Sequence, residues 1–389
     1  MLPVGTLDQG VLARVDDAGR VVTGDTALEV WVGADDRWHV LAEDVGVRNA
    51  RVGPAPVART RVRVPGGDAV QHVYAADGRV VVDVHDDSPA PFAVAFVLRA
   101  GDVGRARTIE AVDGVVRIDG VPVLVFPRAP FRWSVAAGAS VRDEVCSGAA
   151  REGSFPATTG RAVEAAFLFP VAHRTRTRAV FAPRDDAVAN LDVPDLERVR
   201  RAWDRLLDRG MRTELPEPLQ AEVDAARADL LLAGPGAGTF VALEAWGFDE
   251  EAAAVWHRLG VRDRRRARRH DVPRSLLLDT RDALVRERGG RVDVLPGFRP
   301  EWLGQPVAVH DAPLRAGRCS FAVRWHGPRP ALLWDAPPGV ELRAPALDAT
   351  WSSREPQGEA LLAAPPAPLL AMGSSMRAGE RVEPPDSFA

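Results

Sequence analysis

Five carboxylates and one indole in the middle of the chain carry the chemistry to be weighed first. Glu244, Asp249, Glu250, Asp279 and Asp282 fall within one helical stretch, and Trp246 stands two residues after the first of them. Cleavage of a glycosidic bond needs two carboxyl groups about 5 to 10 Å apart across a sugar ring, and spacing in sequence does not reveal such pairs. Glu244 has the surroundings of a sugar contact: an acid beside an aromatic plane on which a ring can stack. A water-facing carboxylate is its plainer reading. Asp249 and Glu250 suit the positive end of a helix dipole, and Asp282 fits a charged helix face with Arg281 and Arg286. The candidate ligand contacts are Glu244, Trp246 and Asp249, with Glu244 or Asp249 as the acid if the chain hydrolyses sugars. No residue is assigned a catalytic role.

Other chemistries lack their residues. The chain has no lysine, so all 50 Lys+Arg cations are arginine, and Schiff-base chemistry or a phosphate-loop lysine is excluded. No Gly-x-Ser-x-Gly elbow occurs, and Cys146 shows no environment that would single it out as a thiolate. His257, His270, His310 and His326 are spread without zinc-ligand spacing, so neither a metal nor a cofactor is expected. The loop Gly234-Pro-Gly-Ala-Gly-Thr239 follows a predicted helix rather than a strand and reads as a helix connection. The run Arg262 to Arg269 has no interleaved aromatic and reads as a solvated helix or linker, with docking of an acidic partner as the functional alternative. Ten tryptophans against one tyrosine suit either sugar stacking or core filling. Trp203 and Trp256 fall on apolar helix stripes, whereas Trp302, Trp325, Trp334 and Trp351 punctuate the terminal strands.

Charge and cysteine content narrow the partners. The formal net charge of −4 leaves no global basic field for nucleic acid or an anionic membrane, so neither is an expected partner. Two distant cysteines imply no disulfide framework and fit a reducing compartment. With no apolar stretch long enough to span a bilayer and no leader pattern, the expectation is cytoplasmic.

The elements that support these residues define an α+β multidomain fold class: an N-terminal antiparallel β-sandwich, a short α-helical hairpin region and a small C-terminal β-sheet. Valine alternation, as in Arg79 to His85, and the turn pairs Asp77-Gly78, Asp113-Gly114 and Asp119-Gly120 predict strands and hairpins over the sandwich domain, residues 1–190. About five helices are predicted over residues 191–290. The first carries Leu196, Val199, Trp203, Leu206 and Leu207; the second Leu219, Val223, Ala226, Leu230 and Leu231; the third spans Thr239 to Trp246. Asp249 caps the fourth, and the last runs from Ser275 to Gly289. Strand-like segments return over 291–363, and residues 364–389 read as a flexible tail.

The segments Asp282–Gly304, Gly317–Gly327 and Arg329–Trp334, taken with the order sandwich, helices, sheet, resemble glycosidases built on a six-hairpin helical toroid, the glucoamylase and trehalase group (glycoside hydrolase family 15-like). That group uses twelve helices, whereas the window between Leu196 and Gly289 holds about five by helix rise and ordinary connections. The hairpins that bear the family's catalytic acids have no counterpart, so no family catalytic residue is carried over. The resemblance implies a shortened relative, an incomplete α/α toroid that has lost catalysis and acts as a carbohydrate-binding or accessory protein. An active glycoside hydrolase or phosphorylase with a reduced helical domain is the alternative. A carbohydrate is the expected ligand. Uncovered helix flanks imply a homodimer or a partner carbohydrate enzyme.

Overall fold

Valines that alternate with polar residues divide the strand Arg79–Asp87 into two faces. Val80, Val82 and Val84 enter the core, and Asp83 and His85 lie on the opposite side. The computed structural model describes residues 1–101, 105–182 and 191–364. The chain falls into two units, one over Met1–Trp203 and one beginning at Asp204.

Among the described residues, the first unit holds two antiparallel sheets. The eight-stranded sheet runs Leu2–Thr6, Gly10–Val15, Val21–Thr23, Thr26–Gly33, Phe92–Gly101, Ala162–Val171 and Arg132–Ala137, with Trp38–Val40 paired to Thr26–Gly33. The nine-stranded sheet includes Val121–Val125, Arg176–Phe181, Arg79–Asp87, Gly67–Ala76 and Ala58–Val64 side by side. One core takes Val30, Phe96 and Phe167 from the first sheet and Val62, Val73 and Val82 from the second, which makes the pair a sandwich. Each Asp-Gly turn sits where it is predicted. Asp77, Asp113 and Asp119 have φ of 49°, 50° and 53°, and the glycines after them 73°, 78° and 81°, the left-handed geometry that a two-residue hairpin requires.

A short helix, α1 (Arg142–Cys146), interrupts this otherwise all-β region. Its Val145 and the preceding Val141 join Trp31, Val97 and Ala166 in a second cluster on the outer face of the eight-stranded sheet. Five residues are too few to display a helical period, so the sequence shows no sign of it.

The helices that follow are α2 (Leu196–Leu207), α3 (Leu219–Leu232), α4 (Ala237–Ala245), α5 (Asp249–Arg258), α6 (Val261–Arg268) and α7 (Leu276–Leu284). On α2, Val199, Trp203 and Leu207 of the predicted stripe are buried. On α3 the stripe is rotated: Val223 and Leu231 are buried as predicted, but Arg227, Ala228 and Leu232 replace Ala226 and Leu230. The cause is Arg227. Its guanidinium lies 5.7 Å from the Trp246 ring and 5.8 Å from the Phe248 ring, and it donates to the Leu207 carbonyl at 2.5 Å. A cation satisfied by carbonyl and aromatic faces can occupy a position that polarity alone assigns to solvent.

The last helix is shorter than the sequence predicts. Ser275 caps α7 by accepting from the Leu278 amide, but the helix ends at Leu284 and the chain enters the strand Val285–Arg288. That strand pairs with Arg291–Val294 across Gly289 and Gly290, whose φ values are 57° and 81°. A Gly-Gly turn between alternating segments is a hairpin signal, and here it prevails over helical periodicity. The terminal region also builds two sheets among the described residues rather than one. A five-stranded sheet runs Arg212–Glu214, Val307–Leu314, Gly317–His326, Arg329–Asp335 and Gln357–Leu361; a four-stranded one runs Val285–Arg288, Arg291–Val294, Glu341–Ala344 and Asp348–Ser353. The predicted tail beyond residue 364 lies outside the described residues.

No helix among the described residues is long and apolar enough to cross a membrane.

Candidate functional site

Glu244 and Asp249 come together because α4 ends and α5 begins within four residues. The connection Trp246-Gly247-Phe248 is held by amides donating back to α4 carbonyls and by Gly247 at φ 74°, a conformation costly for any residue with a Cβ. Both carboxylates open on a cavity of about 500 Å³ whose walls include Phe240, Trp256, His257, Arg268 and His270. That volume lies in the range of small-molecule sites.

Glu244 is exposed, and its carboxylate has no hydrogen-bond partner or ion pair among the described residues. Partial burial pushes its carboxyl above the usual range, with the charge of Asp249 adding and that of His270 opposing. Asp249 is the first residue of α5, not its cap: the cap position belongs to Phe248, without a side-chain bond. The Asp249 carboxylate instead accepts from Arg318 at 3.0 Å. The site therefore offers one unpartnered acid and one ion-paired acid, both able to accept hydrogen bonds from hydroxyl groups.

Trp246 does not reach this cavity. Its indole is fully buried, donates to the Leu277 carbonyl at 3.0 Å and is faced by Arg227. The aromatic wall belongs to Trp256 and Phe240, 4.8 Å apart between centroids. Trp256 is half-buried rather than core, and the guanidinium carbons of Arg264 and Arg268 sit 5.5 and 5.4 Å from its ring. The run Arg262–Arg269 is thus largely the helix α6, and two of its arginines finish the indole's surroundings. His257 and His270, distant in sequence and without ligand spacing, meet at the same cavity.

The remaining acids are engaged elsewhere. Glu250 pairs with Arg209; Asp279 pairs with Arg274, which also lies 3.7 Å from Asp282. Arg281, assigned to a charged face with Asp282, is instead turned inward, donating to the carbonyls of Val285 and of Pro313. The loop before α4 closes on itself, with the Thr239 hydroxyl donating to the Gly234 carbonyl at 2.9 Å. Cys146 is exposed, and Cys319 is buried with its thiol pushed up to about 12, mainly by burial.

No protein-family model matches the sequence, and no curated protein matches it. Solved structures are similar to parts of the chain. A bacterial glucoamylase complexed with acarbose has 9% identity and a TM-score of 0.42, over 62% of this chain and 46% of that one. A family GH92 inverting mannosidase from Bacteroides thetaiotaomicron has 11% identity and a TM-score of 0.36, over 53% and 29%. A second GH92 family glycosyl hydrolase has 13% identity and a TM-score of 0.37, over 63% and 44%. The chain spans less than half the length of each.

Proposed function

We propose that this chain is a carbohydrate-binding or accessory protein of shortened glycosidase-like build, which holds a saccharide at the cavity of Glu244 and Asp249 without cleaving it. The observation that carries the reading is the convergence of these two carboxylates on one cavity with the Trp256 and Phe240 wall. Carboxylates that accept from sugar hydroxyls beside an apolar plane are the ordinary means of holding a hydroxylated ring. In this reading residues 1–190, 191–290 and 291–363 serve as sandwich, reduced helical part and terminal sheet. Six helices between Leu196 and Leu284 are half of the twelve that the resembling group uses to enclose its centre. Cleavage also gains from a water-excluding site, whereas both carboxylates here are exposed. A glycan array with the purified chain should give selective binding that Glu244→Gln removes. Absence of binding to any glycan would end this reading.

The alternative, a hydrolase or phosphorylase, is favoured by one observation: the two acids differ in surroundings, partial burial raising the Glu244 carboxyl above the usual range and Asp249 being bound to an arginine. Such inequality is what acid and base roles require. Starch, trehalose and related disaccharides separate the two readings, since turnover at an enzymatic rate supports only the hydrolase. A homodimer or a partner carbohydrate enzyme completes the accessory role and is checked by the oligomeric state in solution.

A further inference from the structure

The nine-stranded sheet contains a gap. Val121–Val125 pairs with Arg176–Phe181 only through Leu124 and Val125, because the chain then departs by way of Pro127 and Arg128. The first half of Arg176–Phe181 is left without a neighbour on that side among the described residues, and a cavity of about 830 Å³ is lined there by Arg176, Thr177 and Arg178 and by the departing Pro127 and Arg128. It lies wholly within the first unit.

The charges in this cleft do not balance. Arg128, Arg176 and Arg178 line it, and no carboxylate does among the described residues. Arg178 is compensated by Asp83, its Nε and Nη2 donating at 2.7 and 2.8 Å. Arg176 lies 3.9 Å from that same carboxylate and is half exposed. Arg128 donates to the Pro170 carbonyl at 3.0 Å and has no ion pair among the described residues. Arg176 and Arg178 thus share one carboxylate, and Arg128 has none within ion-pair distance among the described residues. A concave, low-dielectric surface with surplus charge of one sign concentrates counter-ions, and the guanidinium fork matches an oxyanion in geometry as well as charge. Pro127, Pro170 and Leu191 supply an apolar wall. The volume exceeds what an inorganic ion fills and falls in the range of organic ligands.

We propose that this cleft binds a small organic oxyanion, a phosphate or carboxylate group on a sugar-sized body, held by Arg128 and Arg176 with its body against Pro127, Pro170 and Leu191. Calorimetric titration of the whole protein with glucose 6-phosphate and with glucuronate separates the two head groups, and glucose is the uncharged control. The expected result is binding of at least one anion, with glucose at least about ten-fold weaker. Arg128→Gln and Arg176→Gln should each weaken it by roughly ten-fold, as for loss of one charge-assisted hydrogen bond, and Arg269→Gln in the other unit should not. In the unsubstituted protein the anion should slow amide exchange over residues 176–181, a readout that survives if a variant folds poorly. Equal affinity for glucose, unchanged affinity in the double variant, protection confined to other segments, or no heat from either anion up to millimolar concentration would each overturn the proposal.

Discussion

The two units use their charged side chains in opposite ways. On the outer face of the nine-stranded sheet, Asp83 is fully buried, yet every part of it is answered: Arg178 by two bonds, the Tyr74 hydroxyl at 3.1 Å and Arg176 near by. In the helical unit the buried charge is Arg227, which leans on two aromatic rings, while Glu244 stands unpartnered at a cavity. The sandwich spends its acid on structure, and the helical unit leaves one without a side-chain partner among the described residues. A polar group whose partners are all within the fold is a structural element, whereas one left half-desolvated and unpaired is where ligand chemistry can begin.

The largest effect should come from the sandwich. Asp83→Asn leaves Arg178 without its counter-charge and is expected to cost about 3 to 5 kcal/mol, measured by denaturant unfolding. A loss below about 1 kcal/mol would mean that the buried pair is not what sets the contrast. Next comes Arg227→Ala, which removes packing against Trp246 and Phe248 together with the bond to Leu207, at about 2 to 4 kcal/mol by analogy with other large-to-small core changes. Arg227→Met should recover part of that loss, because the stem and the aromatic contact matter more here than the charge.

Acid should act on the sandwich before the helical unit. Burial holds His72 down to about 4, and His85 is lowered for the same reason. The unfolded chain takes up protons near pH 6.5 and the folded one does not, so the stability these groups contribute is full above 6.5 and is lost as pH falls toward 4. The groups facing His72 and His85 are Arg59, Arg61, Asp83, Asp87, Arg176 and Arg178. Denaturation midpoints followed by amide exchange in each unit check the order, and simultaneous loss in both units would break the contrast. Smallest in stability is Glu244→Gln, expected within about 0.5 kcal/mol of the parent as for other exposed sites, yet sufficient to remove saccharide binding.

How much of this could be read from the sequence follows the same division. Period-two alternation in Val80, Val82 and Val84, with Asp-Gly turns, defines strands and faces because each signal is local. In the helical unit, burial of Arg227 depends on rings at Trp246 and Phe248, some twenty residues away, which no periodicity discloses. Trp246 and Trp256 exchange roles for a similar reason. A short connection turns the first indole under the helices and leaves the second at the cavity, though both lie near apolar stripes. The shortening of α7 was readable in principle, since Gly289-Gly290 between alternating segments is a hairpin signal. The arginine cleft was not, because it arises where two strands stop pairing.

Saccharide occupancy with retention of every glycosidic bond is the central claim. Proton NMR on the full chain with maltooligosaccharides and trehalose reads both, by saturation transfer to the intact sugar and by the appearance of new anomeric signals. The account predicts transfer that Glu244→Gln abolishes and no new anomeric signal over hours. New anomeric signals growing at about 1 s⁻¹ or faster per protein molecule, or transfer that persists undiminished in Glu244→Gln, would contradict it.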